Sequence, residues 1–241
     1  MLRLLQLICW LLPPSALKNK LLSRFGHDVD PSASIGPTVL LNVSRIKIGA
    51  HVRISLFNVF RDLGNLHLED FAIIESWNWI SAHPLFQQSD KDAGTLFLGN
   101  HAKIGSRNYL DCSGTIIVRE HARVGGNRCL LQTHQADQES SRVNVGRITI
   151  GHHSVVGSCA VLLKGAFLPD QSMLAANSTM THRTAKEGKR GLYAGSPAAW
   201  KRDTGGAYFE GDAAYNITDT VADEPMGVLP EDLLIHTPID S

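Results

Sequence analysis

The chain has 241 residues, 43% of them hydrophobic, a size that buries a substantial core in one domain, with or without appendages. Its formal charge is zero, but all 23 Lys and Arg lie in residues 1–202, which carry +9, while residues 203–241 hold nine acidic groups and no Lys or Arg. A basic body suits an anionic ligand, with no nucleic-acid partner expected, and Cys9, Cys112, Cys129 and Cys159 lack the spacing of a zinc, redox or disulfide framework, so reduced thiols are expected.

Residues 1–26 open with MLRLLQLICWLLPPSALKNK, whose short apolar run and small residues mimic a signal peptide but are too short to span a bilayer. Arg3 and Gln6 interrupt the run, and Leu2, Leu5, Ile8, Trp10 and Leu12 can line one side of an amphipathic helix. The expectation is a retained helix over 1–26, lying on the body or on a membrane surface.

From residue 27 an aliphatic residue returns every six positions, often followed by Gly and with a small residue four places on. It is traced through Ile48, Leu68, Ile74, Ile80, Leu98, Ile104, Leu110 and Ile116, then shifts by two residues to Val118, Val124 and Leu130. The last run is the most regular, with Ile150, Val156, Leu162, Leu168 and Leu174 in register and Ser154, Ala160, Ala166, Ser172 and Ser178 at the small position.

A helix repeats near 3.6 and a strand at two, so period six needs another geometry. A three-sided coil supplies it: the aliphatic residue points inward, the small residue fits a corner, and Gly or Asn permits the turn. Stacked coils make an all-β, left-handed parallel β-helix over 27–183, followed by a basic segment, 184–202, with a helical turn within Thr184–Lys189, and an acidic tail, 203–241.

Two stretches break the period, Pro84 to Thr95 and Gln135 to Arg147, and are expected as loops, where sites on rigid scaffolds usually lie. Of eleven histidines, His51, His101, His121 and His153 fall three places after an inward aliphatic and read as corner residues. His83 precedes the first loop and is a second-choice functional residue; His134, in LQTHQAD, leaves the lattice where the second begins. Trp77, Trp79, Phe86 and Phe97 surround the first loop, placed either to stack on the ring of a ligand such as a sugar or to cap the core.

The segment ITIGHHSVVGSCAVLLKGAFLPDQSMLAANSTMTHR resembles the hexapeptide-repeat acetyltransferases of the maltose, galactoside and exopolysaccharide O-acetyltransferase type, a likeness covering roughly Ile35 to Arg202. The shared layout is a histidine ending a coil (His134), a loop, I-x-I-G (Ile148–Gly151), two more coils, a small-residue run, and G-x-P (Gly195–Pro197). The resemblance implies a homotrimer that uses acetyl-CoA as co-substrate, needs no metal, and modifies a sugar or saccharide acceptor, as in polysaccharide modification. It places such an enzyme in the cytoplasm, or at the inner face of the membrane if the N-terminal segment binds there.

By position, His134 matches the catalytic base, Ser158 and Ala176 the pantetheine channel, Thr181 the Thr of a Thr-Lys pair, and Arg202 a basic residue near the CoA phosphates. An imidazole suits removal of a hydroxyl proton at neutral pH, with Asp111 or Asp137 to orient it and Asn108 or Asn127 as candidate oxyanion donors. Three positions depart from the pattern, His182, Ala199 and Asn177, with Arg183, Lys201 or Lys164 left to supply charge. A γ-carbonic-anhydrase-type metal enzyme, a non-catalytic assembly platform and an amino-sugar N-acyltransferase use the same scaffold and remain open at this point.

Overall fold

The computed structural model describes residues 2–88, 90–184 and 188–211. The acidic tail from 212 and residues 185–187 of the predicted turn in Thr184–Lys189 lie outside the described residues. The rest is the left-handed parallel β-helix that the six-residue period requires. A first sheet of seven strands runs from Asp28–Val29 to Phe167–Leu168, and a third sheet of seven from Val39–Leu41 to Thr179–Met180. Between them a second sheet of nine begins at Ser34–Ile35 and ends with the antiparallel pair Leu192–Gly195 and Ala198–Arg202, so the sheet continues past residue 183.

Inward residues stack coil on coil. On the second sheet Ile35, Ile54, Ile74, Ile104, Val124, Val156 and Leu174 form one buried column, paired in register at each step. Each contributes roughly 1.5–3 kcal/mol on burial, which a lone coil could not accumulate against its ordering entropy. The small positions Ser154, Ala160, Ala166, Ser172 and Ser178 are buried as expected. One register step differs from the period: Leu131, not Leu130, points inward, because the corner after Val124 carries an additional residue around Gly125-Gly126.

Most corners are not made by glycine. Those between the first and second sheets place His51, Phe71, His101, His121 and His153 in the left-handed region, with φ between 53° and 59°. The five rings stack in a column, with successive centroids 4.6–4.9 Å apart, which offsets conformations that bulky side chains rarely adopt. The recurrent glycines answer to crowding instead: a Cβ at Gly105 would meet the Gly125 carbonyl, and one at Gly151 would meet Asp170.

The single N-terminal helix expected over 1–26 is two helices, α1 (Leu2–Leu11) and α2 (Ala16–Arg24). Pro13 and Pro14 stop the first, and the Ser15 hydroxyl caps the second by accepting the Lys18 N–H. Together they close the open end of the stack. In later coils the carbonyls of Val52 and Ile54 accept N–H groups from the coil before, but Ala33 and Ile35 of the first coil have no coil before them. Asn19 Nδ2 donates to the Ala33 carbonyl at 2.7 Å, and Lys18 Nζ to the Ile35 carbonyl at 2.9 Å.

Lys18 is fully buried, and its ammonium also reaches the carbonyls of Trp10, Leu12 and Gly36 at 2.8, 2.7 and 3.1 Å. Burial pulls its pKa down to about 8, so it is still charged at neutral pH. Lys18→Met would leave several buried carbonyls unpaired. At roughly 1–3 kcal/mol for each buried group left unsatisfied, the variant is expected to lose at least ~3 kcal/mol in equilibrium urea unfolding; an unchanged midpoint would show that the ammonium does not hold the cap.

Candidate active site

Both segments that break the period leave the helix at the corner between the third and first sheets. The first contains a 3-10 turn, Pro84–Gln88; the second is not an irregular loop but a β-hairpin, His134–Asp137 paired with Arg142–Val145. One tight coil lies between them, carrying Tyr109–Asp111, Cys112 and Ser113, and the two loops flank an open cavity of 810 Å³. His83, Leu85 and Phe86 line it from the first loop; Gln132, His134 and Arg142 line it from the second.

Asp111 joins the two sides. Its carboxylate is buried, and Oδ1 accepts from the Ser113 N–H at 3.1 Å and the Ser113 hydroxyl at 2.5 Å. Oδ2 accepts from the Thr133 N–H at 3.0 Å and lies 2.6 Å from His134 Nδ1. The Thr133 hydroxyl donates to the Asp111 carbonyl at 2.7 Å and accepts from the Gly114 N–H at 2.7 Å, fixing the start of the hairpin. On the other side the Ser113 hydroxyl accepts the His83 N–H at 3.1 Å.

A carboxylate has no proton to give, so the imidazole proton that satisfies this contact sits on Nδ1, leaving Nε2 of neutral His134 as an acceptor. The ring is about 40% exposed, enough to meet a substrate, and Phe86 stacks over it with centroids 6.1 Å apart. His83 has the opposite arrangement: its Nδ1 accepts the Leu85 N–H at 3.3 Å, so the proton of a neutral ring sits on Nε2. The cavity thus holds one imidazole set to accept and one set to donate. Cys112 is no competitor as nucleophile: it is fully buried, and burial beside the Asp111 carboxylate pushes its thiol well above the ordinary range.

The other predicted residues distribute unevenly. Asp137 stays within the hairpin, bonding Ser140 and Glu139, and does not reach His134. Neither candidate amide faces the cavity: Asn108 is buried in a lattice of Asn78 and Cys129 contacts, and Asn127, with its amide in the hydrogen-bonded orientation, donates to the Ser106 and Gly126 carbonyls. Thr181 ends the third sheet on the corner that carries His134, two coils on, and bonds Thr184. Ser158 and Ala176 stack on successive coils at the opposite edge of that sheet.

Arg202 is not brought to either edge; it pairs with Leu192 at the far side of the second sheet and donates to the Asp203 carbonyl. Lys164 does approach the site, donating to Asn144 Oδ1 of the hairpin at 2.5 Å. Of the four aromatics read around the first loop, Phe86 alone lines the cavity; Trp77 and Trp79 are exposed beside and on the third sheet, and Phe97 packs edge-on against His67. Ser113 and Thr133 were not anticipated, although Asp111 followed by Ser113 has the spacing of a side chain bonding two residues ahead.

No family model matches the chain, and no curated protein is similar to it. Among solved structures it is similar to a variant of AntD, an N-acyltransferase from Bacillus cereus bound to dTDP-4-amino-4,6-dideoxyglucose and coenzyme A, at 14% identity over 76% of this chain and 88% of that one, with a TM-score of 0.45. AntD with dTDP and 3-hydroxybutyryl-CoA gives 11% identity, 76% and 87% coverage and a TM-score of 0.34. The polySia-specific acetyltransferase NeuO gives 12%, 69% and 81%, and 0.36. Likenesses this distant carry nothing about chemistry, which has to come from the site.

The dyad makes a prediction independent of any reaction. In ¹⁵N NMR of the imidazoles, His134 is expected as the neutral Nδ1–H form at high pH. In Asp111→Asn the amide can donate to Nδ1, and the ring is expected to switch to Nε2–H; an unchanged tautomer would show that Asp111 does not set it.

Proposed function

We propose that the protein is an acetyl-CoA-dependent O-acetyltransferase that transfers acetyl to a hydroxyl of a sugar or saccharide precursor, with His134 as general base. The observation that carries this reading is the buried Asp111 carboxylate holding His134 Nδ1 at 2.6 Å while the ring faces a cavity between two loops. An alcohol is a poor nucleophile until its proton is being removed, and a neutral imidazole with Nε2 free is suited to take it. Asp111 acts as a positioning residue and stabilises the imidazolium that forms.

In the step itself the acceptor hydroxyl gives its proton to Nε2 as its oxygen attacks the thioester carbonyl. The tetrahedral oxyanion collapses, the C–S bond breaks, and the CoA thiolate takes the proton back from His134. The Nε2–H of His83 is one group in the cavity whose hydrogen bonding suits it to donate to the oxyanion or to the acceptor. Leu85 and Phe86 supply the apolar surface on which a sugar ring stacks.

The CoA chain is read along the outer face of the third sheet, between the edge that carries Ser158 and Ala176 and the corner that carries Thr181 and His134. Arg202 lies too far round the helix for that path within one chain, so Lys164 is the better-placed cation. A homotrimer fits the same face: Trp77, Trp79 and Tyr109 are exposed there with Leu56 and Phe57, and a second copy packed on them would close the open side of the channel.

Thiol release from acetyl-CoA, with a panel of sugars and nucleotide sugars as acceptors, tests this. Wild type is expected to release CoA only with an acceptor, and His134→Ala to lose at least ~100-fold in kcat while CoA binding persists. Product analysis separates ester from amide, and light scattering is expected to give three times the 26.3 kDa chain mass. Absence of both CoA binding and turnover would end the acyltransferase reading.

A further inference from the structure

Helix α1 is apolar on both sides. One side is used by the protein, since Cys9 and Trp10 are buried against the first coil. The other presents Leu4, Leu5, Ile8, Leu11 and Leu12, spaced i, i+1, i+4, i+7 and i+8 and so on one face, and Leu17 follows beyond the Pro13–Pro14 turn. These six side chains are between 38% and 65% exposed. Isolated exposed leucines are ordinary, but a contiguous set on one helix face marks an interaction surface.

Charge identifies the partner. Residues 1–27 contain no Asp or Glu, while Arg3, Lys20 and Arg24 are exposed. On α2, Leu17, Lys20 and Arg24 are spaced i, i+3 and i+7, which puts apolar and basic groups on the same face. Two copies joined through this surface would bring their basic residues together with no nearby acid in this segment to neutralise them. An anionic bilayer supplies both the apolar layer and the negative headgroups.

The helix cannot cross. Among the described residues none is long and apolar enough to span a membrane, and the ten residues of α1 reach only ~15 Å at 1.5 Å rise per residue. Nor is it a loose leader, because Lys18, Asn19 and the Thr38 N–H bond to the Trp10 carbonyl fix both helices to the first coil. We propose that the outer face of α1, with the adjoining end of α2, is a docking surface for an anionic lipid bilayer, on which the helix lies parallel to the membrane plane.

The other side of α1 faces the loops. Arg3 and Gln6 of α1 wall a second, polar cavity of 530 Å³, and its opposite wall is made by Pro84 and Gln87 of the turn whose Leu85 and Phe86 line the His134 cavity.

Sedimentation of the full chain with sucrose-loaded vesicles tests the proposal without any acyl-transfer assay. Binding is expected to vesicles of equal parts phosphatidylglycerol and phosphatidylcholine, at least ~10-fold weaker to phosphatidylcholine alone, and reduced by salt. The triple variant Leu5→Gln, Ile8→Gln and Leu12→Gln, exposed positions all, is expected to keep the wild-type thermal transition and lose at least ~10-fold in vesicle binding. The triple variant Arg3→Gln, Lys20→Gln and Arg24→Gln is expected to lose the preference for phosphatidylglycerol. Wild type left in the supernatant with the mixed vesicles, or an apolar variant that binds them equally, would overturn the proposal. So would a fall in assembly mass in that variant without vesicle binding by wild type, which would assign the face to a contact between copies.

Discussion

Every coil of this molecule is held by its neighbours. Backbone groups of one coil pair with the next, and each inward aliphatic rests on the residue one coil away, as Ile54 rests between Ile35 and Ile74. Register and side-chain direction are locked together by that arrangement, since a slip by one residue would turn the core outward. The corner after Val124 shows how an added residue is tolerated: it is absorbed in the turn, and Leu131 rather than Leu130 resumes the inward position.

A stack of this kind has an end, and the end exposes carbonyls that the lattice would otherwise pair. Lys18 and Asn19 meet that demand with side chains in place of a preceding coil. Burying an ammonium is costly, but four carbonyls surround it, and the hydrogen bonds it makes favour the charged form against the pull of desolvation. Because the cap is fixed so firmly, the outer face of α1 is held as a defined surface rather than as a trailing segment.

The same constraint places the site. Strand residues are committed to the lattice, whereas corners accept inserted chain, and the two longest insertions leave from one corner, separated by a single tight coil. Asp111 and Ser113 belong to that coil, so the rigid body of the helix, not the loops, sets the imidazole of His134 and the backbone of His83. Preorganisation is inherited from the scaffold: a buried carboxylate with its lone pairs occupied by Ser113 and Thr133 has little freedom to release the ring.

The sequence alone determined the architecture, because a six-residue period with small residues at fixed offsets is compatible with few backbones, and it separated His134 from the corner histidines by its place in that period. It did not determine which carboxylate orients the ring. Asp111 and Asp137 are both near the second loop in sequence or space, and only the coil-to-coil stacking, which sets residues 22 or 23 apart side by side, makes Asp111 the partner and leaves Asp137 in the hairpin. It likewise left Lys18 and Asn19 as ordinary helix residues, since the end-of-stack carbonyls they satisfy, those of Ile35 and Ala33, lie 17 and 14 residues further along the chain. Local periodicity fixes what repeats; contacts between non-repeating residues depend on how coils stack, and these the tertiary structure decided.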